Sequence, residues 1–225
     1  MTKSPDMSPF LDADGKRPIQ EVVHVLLYLT RVLNSPALAS LSDIGTEQAQ
    51  PTANTAEATK KLLNYCATYP NSTLRFIASD VILPVFSDVS YLSVSKSFSR
   101  VAGYFYLSST IPSDTAEGAI KPSVIPKLTP NLDHPSPWNG AVHVMRHIPL
   151  HVMASATEAE IGTVFKKCKA CLSMRTALQE MGHPQPPIPV KVDNQCAVGI
   201  LTDTVKQKRS KSMGMRFFWA RDRIR

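Results

Sequence analysis

SATEAEIGTVFKKC, Ser155 to Cys168, places two carboxylates at the start of a helix. Ser155 followed three residues later by Glu158 forms a capping box, so backbone hydrogen bonding accounts for Glu158. Glu160 has no such role. At ~100° per residue it lies on the side of Val164, Cys168, Cys171 and Leu178, the stripe that a helix buries. A carboxylate there either reaches water at a frayed first turn or requires a partner charge, a metal or a proton.

The helix opened by this stretch runs from about Ala156 to Met181 and is ended by Gly182 and Pro184. Before it, TLRFIAS (73–79) and VILPVFSDVSYLS (81–93) are β-rich, and RVAGYFYLSS (100–109) alternates as a strand does. A proline-rich loop from Ile111 to Pro137 leads to GAVHVMRHIPLHVMA (140–154), another strand-like run. After the helix, IPVKVD is a short buried strand, NQCAVGIL opens a second helix, and the segment around Met215 and Phe217 reads as a third. Strands, helix, strand, helix, helix is the order of an α/β layer with a mixed sheet.

A small helical segment precedes this layer. The first ~15 residues read as a loose lead-in. Pro18 suits a first helical turn, and IQEVVHVLLYLTRVLN continues with apolar residues at helical spacing. Pro36 ends or restarts the helix, ALASLSDIGTEQ is a second stretch, and a third is capped near Asn54 or Thr55 and closed by the turn Tyr69-Pro70-Asn71. The division is thus 1–16 lead-in, 17–71 helical segment and 72–225 α/β domain.

Two further carboxylates stand out. Asp193 ends the strand PVKVD at the carboxyl edge of the sheet, where α/β proteins build their sites. Asn194 can cap the following helix, so Asp193 is a turn residue or a site residue. Asp88, in VFSDVSY, interrupts a β-rich run where an isolated charge is costly unless the strand ends there. All three are reconciled if they converge. At ~4 Å and an effective dielectric near 20, each like-charge pair costs about 4 kcal/mol, so such a cluster requires a cation. Oxygen-only ligands favour Mg²⁺ or Mn²⁺ over zinc.

Hydrophobic residues make up 43% of the 225 and charged ones 19%, ordinary values for a globular protein. No apolar run approaches the ~20 residues that cross a bilayer, and the N-terminus lacks the apolar core of a signal peptide. Four cysteines without a framework spacing fit a reducing, intracellular compartment, cytoplasm or nucleus. The net charge of +7 sits wholly in the last twenty residues, which hold eight Lys/Arg and one Asp. Lys206, Lys208, Arg209, Lys211 and Arg216, interleaved downstream with Phe217, Phe218 and Trp219, suit a polyanionic partner or a solvated terminus. KQKRSK reads equally as a nuclear address. Cys168 and Cys171 form CKAC inside the long helix and read as buried structural cysteines. His143, His147 and His151 recur every fourth residue, with Pro149 opposing a helix there.

SDVSYLSVSKSFSRVAGYFYLSS, SATEAEIGTVF, VDNQCAVGIL and TVKQKRSKSMGMRFFWARDR, taken in that order, resemble the ribonuclease H part of copia-type retrotransposon polyproteins. The helices from about Arg17 to Tyr69 resemble the end of that polyprotein's reverse transcriptase and its connection segment. The resemblance implies a ribonuclease H-like mixed sheet with flanking helices, and Asp88, Glu160 and Asp193 as catalytic metal ligands. It also implies hydrolysis of the RNA strand of an RNA–DNA hybrid, assisted by two metal ions, with the basic segment holding phosphate without reading sequence. The rest of the polyprotein would be a partner. In that family a fourth carboxylate lies in a last helix after a fifth strand. This chain reaches Arg225 before either, so the expectation is a domain lacking both, with an exposed edge at the strand ending in Asp193. Gly214 stands where many relatives carry aspartate, and Pro84 leads into the strand of Asp88. The alternative is a retroelement remnant or co-opted fragment that binds nucleic acid without catalysis.

Overall fold

The computed structural model describes residues 6–94, 98–109, 139–149, 152–202, 204 and 214–224. Three helices come first: α1 (Ala13–Val32), α2 (Ser35–Glu47) and α3 (Ala53–Thr68). α1 starts earlier than Pro18, because the Asp12 carboxylate accepts from Gly15 N at 2.8 Å and satisfies the open helix end. Pro18 therefore lies inside the helix. Residues 6–12, expected as part of a loose lead-in, are tied to the start of α3; residues 1–5 lie outside the described residues. Leu11 N donates to Pro51 O and Ala53 N to Pro9 O, while the Asp6 carboxylate accepts from Thr52 Oγ1 at 2.5 Å and Asn54 Nδ2 at 2.7 Å. These bonds, Thr52 and Ser8 foremost, hold the Asp6 carboxyl well below the usual carboxylate range.

Asn34 caps α2, with Pro36 in its first turn. α3 is capped by Thr52, two residues ahead of the expected position, and Thr55 returns the bond to the Thr52 N–H at 3.1 Å. Ile19 and Val23 of α1, Leu41 and Ile44 of α2, and Leu62 of α3 close a shared core. The Asp43 carboxylate of α2 pairs with Arg100 of the sheet.

The sheet has strands β1 (Val85–Val94), β2 (Phe98–Tyr106), β3 (Ala141–His147) and β4 (Val190–Val192), in the order β3-β2-β1-β4. β2 runs antiparallel to both β1 and β3. β1 and β4 are parallel, with Val85 opposite Val190 and Ser87 opposite Val192. The result is a mixed α/β sheet with helices packed around it. Pro84 causes no conflict, since β1 begins one residue later. Its carbonyl accepts from Tyr106 N, and Val85 N donates to Pro189 O at 2.9 Å. TLRFIAS is not a strand. The Asn139 side chain takes the place of a neighbouring strand, accepting from Ile77 N at 2.8 Å and donating to Ile77 O and Leu107 O at 2.9 Å. β3 ends at His147, short of the expected run, ahead of Ile148 and Pro149. β4 is the outer strand on its side of the described sheet, and at three residues it is a short one.

α4 (Ala156–Glu180), α5 (Gln195–Leu201) and α6 (Gly214–Ile224) complete the layer. Cys171 and Leu178 of α4 pack with Leu83, Val85 and Phe105 of the sheet side. Ile161 and Val164 pack with Ala197, Leu201, Phe217 and Ala220 of the other helices. The first turns of α4 are therefore covered on more than one side, and their burial does not follow a single stripe. Gly214 is the first described residue of α6. No helix is long and apolar enough to cross a membrane among the described residues.

α4 stops where expected. His183 N donates to Leu178 O at 2.9 Å and Gly182 N to Gln179 O at 3.0 Å, with Gly182 at φ +87°. A side chain at this left-handed position is strained. Gly182→Ala is expected to lower stability by about 1 kcal/mol, measured as a shift in the urea midpoint at constant m-value.

Candidate metal centre

Three elements deliver one carboxylate each to the same point. Asp88 lies within β1, Glu160 in the second turn of α4, and Asp193 directly after β4. One oxygen from each lies within 4.8 Å of the others. The parallel pairing of β1 and β4 brings Asp88, within β1, beside Asp193, just past the carboxyl end of β4. Local chemistry fixes each member. Ser155 Oγ accepts from Glu158 N at 3.1 Å and starts α4, so the helix angle sets Glu160. The Tyr91 hydroxyl donates to Met153 O at 3.3 Å, tying β1 to the segment that enters α4. Asn194 Oδ1 accepts from Ala197 N at 3.0 Å, so the cap of α5 does not require Asp193. The Glu158 carboxylate accepts from Ala154 N at 2.8 Å, one residue earlier than a capping box prescribes.

Burial divides the cluster. Asp88 and Asp193 are exposed, whereas Glu160 is only 4% exposed. Burial, reinforced by the charges of Asp193 and Asp88, pushes the Glu160 carboxyl up to about 8. Glu160 Oε2, the buried member of the cluster, has no hydrogen-bond partner. Buried polar atoms are ordinarily satisfied, so this orphan marks a place where a ligand belongs. The donor set is oxygen only, which fits a hard divalent cation. The structure itself does not distinguish one such cation from another.

Basic groups lie on β3, α4 and α6. Lys166 Nζ donates to His147 Nε2 at 2.8 Å, and burial followed by the charge of Lys166 pushes the His147 ring down to about 4, so it is neutral. Arg146, directly opposite Ala102 and in the same row of the sheet as Asp88, feels the Asp88 charge. Of the five residues expected to grip phosphate, Arg216 is in α6, where its charge acts on Lys166. Lys206, Lys208, Arg209 and Lys211 lie outside the described residues, as does His151. His143 and His147 are in β3 and join no metal cluster among the described residues. Phe217 is buried in the helix core and Trp219 meets Phe165 edge-on at 5.0 Å. Only Phe218 of that aromatic trio is largely exposed. Cys171 is buried as expected, and Cys168 packs against the helix core.

The sequence reading passed over Lys167. It is fully buried on α4, and its Nζ has no hydrogen-bond partner. The signal was present in the spacing, because Lys167 is seven residues after Glu160 and so falls on the same helix face.

No protein-family model, curated protein or solved structure matches this chain.

Proposed function

We propose that this chain is a ribonuclease H-like domain of retrotransposon type that binds RNA–DNA hybrid and hydrolyses the RNA strand with Mg²⁺ or Mn²⁺. The observation that carries the reading is the meeting of Asp88, Glu160 and Asp193, from three separate elements, within 4.8 Å beside the carboxyl end of β4. The strand order β3-β2-β1-β4, with β1 and β4 parallel and α4 across them, supports it, as that is the arrangement the resemblance leads one to expect.

Divalent cations at such a site activate water and stabilise the leaving oxygen of a phosphodiester. The chain's own residues do the rest. Glu160 anchors the centre from the buried side. Asp88 and Asp193 face solvent, where a phosphate backbone approaches. Lys166 and Arg216, whose charges act on each other, and the basic stretch with Lys206, Lys208, Arg209 and Lys211 add salt-sensitive, sequence-independent affinity. The helices of residues 17–71 then correspond to a reverse-transcriptase connection segment, with the rest of a polyprotein as partner.

A second reading, binding of nucleic acid without cleavage, is favoured by one fact: the cluster holds three carboxylates among the described residues, where the resembled family uses four. A gel assay with labelled hybrid and Mg²⁺ separates the two. The nuclease reading predicts RNA-strand cleavage that falls by at least about 100-fold in Asp88→Asn. Cleavage unaffected by that substitution would remove the site assignment. Salt-sensitive binding without cleavage would establish the second reading.

A further inference from the structure

We propose that Lys167 is a positioning residue that acts as a built-in counter-cation of the Asp88–Glu160–Asp193 centre and limits it to a single divalent cation. The inference rests on the metal reading above and departs from the two-ion expectation attached to the family resemblance. Lys167 is 0% exposed, and no acceptor reaches its Nζ. Its stem crosses β2 at Gly103, where a Cβ would meet Lys167 Cδ at 2.7 Å and Nζ at 3.1 Å. Glycine at 103 leaves that path open to the lysine stem, on the strand paired with β1. The charges acting on the ammonium are Lys166, which opposes it, and Asp88, Glu160 and Cys171, which favour it. Two of those three are members of the carboxylate centre.

A buried ammonium without an acceptor does not earn its position through stability. What it does supply is charge. With a cation bound, the three carboxylates are ionised and carry −3, and Lys167 reduces this to −2, which one divalent ion neutralises. A second ion would leave the carboxylates, the lysine and the two ions together at +2. Without Lys167, the same two ions would leave the centre at +1. The buried lysine therefore occupies, electrostatically, part of the place of a second metal.

Mn²⁺ titration of the intact chain, followed by electron paramagnetic resonance, tests this without relying on catalysis. Asp88→Asn serves as the control that identifies the site. Wild type is expected to bind one Asp88-dependent Mn²⁺ per chain with an uncoupled spectrum. Lys167→Met is expected to bind a second with exchange-coupled lines, or to bind the first at least about tenfold more tightly. Lys167→Gln, which keeps a polar tip without charge, should behave like the methionine variant. Two coupled ions in wild type, or identical titrations for wild type and both variants, would overturn the role of Lys167 and leave the metal centre standing. No Asp88-dependent Mn²⁺ in any of them would overturn the metal reading and this inference together.

Discussion

In metal-free buffer, Glu160→Gln is expected to stabilise the protein by about 3–5 kcal/mol at pH 9 and to change little at pH 4. The Glu160 carboxyl is pushed from its ordinary value of 4.5 up to about 8 by burial and by Asp193 and Asp88. In the unfolded chain it ionises near 4.5. A folded-state value above the unfolded one means that the contribution to stability is fully present below pH ~4.5 and is lost as pH rises to about 8. Glutamine keeps the shape and a donor for Asp193 but cannot ionise, so its advantage grows across that window and then levels off. Urea unfolding with chelator at several pH values measures it. An advantage that does not change with pH would mean that Glu160 is not buried among carboxylates. Added Mg²⁺ should invert the comparison, stabilising wild type and not the variant, because the ion binds only the folded, ionised centre.

Lys167→Met is expected to stabilise the metal-free fold by about 2–3 kcal/mol at pH 7. Burial, and then the charge of Lys166, pushes the Lys167 ammonium down from 10.5 to about 8. The unfolded lysine holds its proton up to about 10.5 and the folded one releases it at about 8. The cost to the fold is therefore complete below pH 8 and disappears by pH ~10.5. Methionine fills the channel over Gly103 with an unbranched apolar chain of similar reach. The gain at pH 7 should fade as pH climbs through that window. A destabilised variant at pH 7 would show that the ammonium has partners beyond those seen here. Combining it with Glu160→Gln should give more than the sum, since each single substitution loses the Lys167–Glu160 attraction and the double loses it only once.

How legible all this was varied with how local the cause was. α4 and its end were readable because a serine cap, a glycine at positive φ and the bonds between them are short-range devices. Asn194 was readable for the same reason. Asp88, Glu160 and Asp193 could be singled out because each is awkward in its own element, and the structure brings all three together. Tertiary partners defeated the rest. Asp12 and the anchoring of Asp6 to Thr52 start the chain's order before Pro18, but the Asp6 bonds span more than forty residues. TLRFIAS has strand chemistry, yet the amide of Asn139 takes the ladder's place from 62 positions away. Lys167 was missed because a lysine in a helix ordinarily reaches solvent; its burial depends on Gly103, in a different element.

The most direct measurement is a crystal of the intact chain soaked in Mn²⁺ and recorded at a wavelength where manganese scatters anomalously. A peak bonded to oxygens of Asp88, Glu160 and Asp193 together is the predicted result. Saturating Mn²⁺ with no peak there, or density showing the three carboxylates turned away from one another, would contradict it.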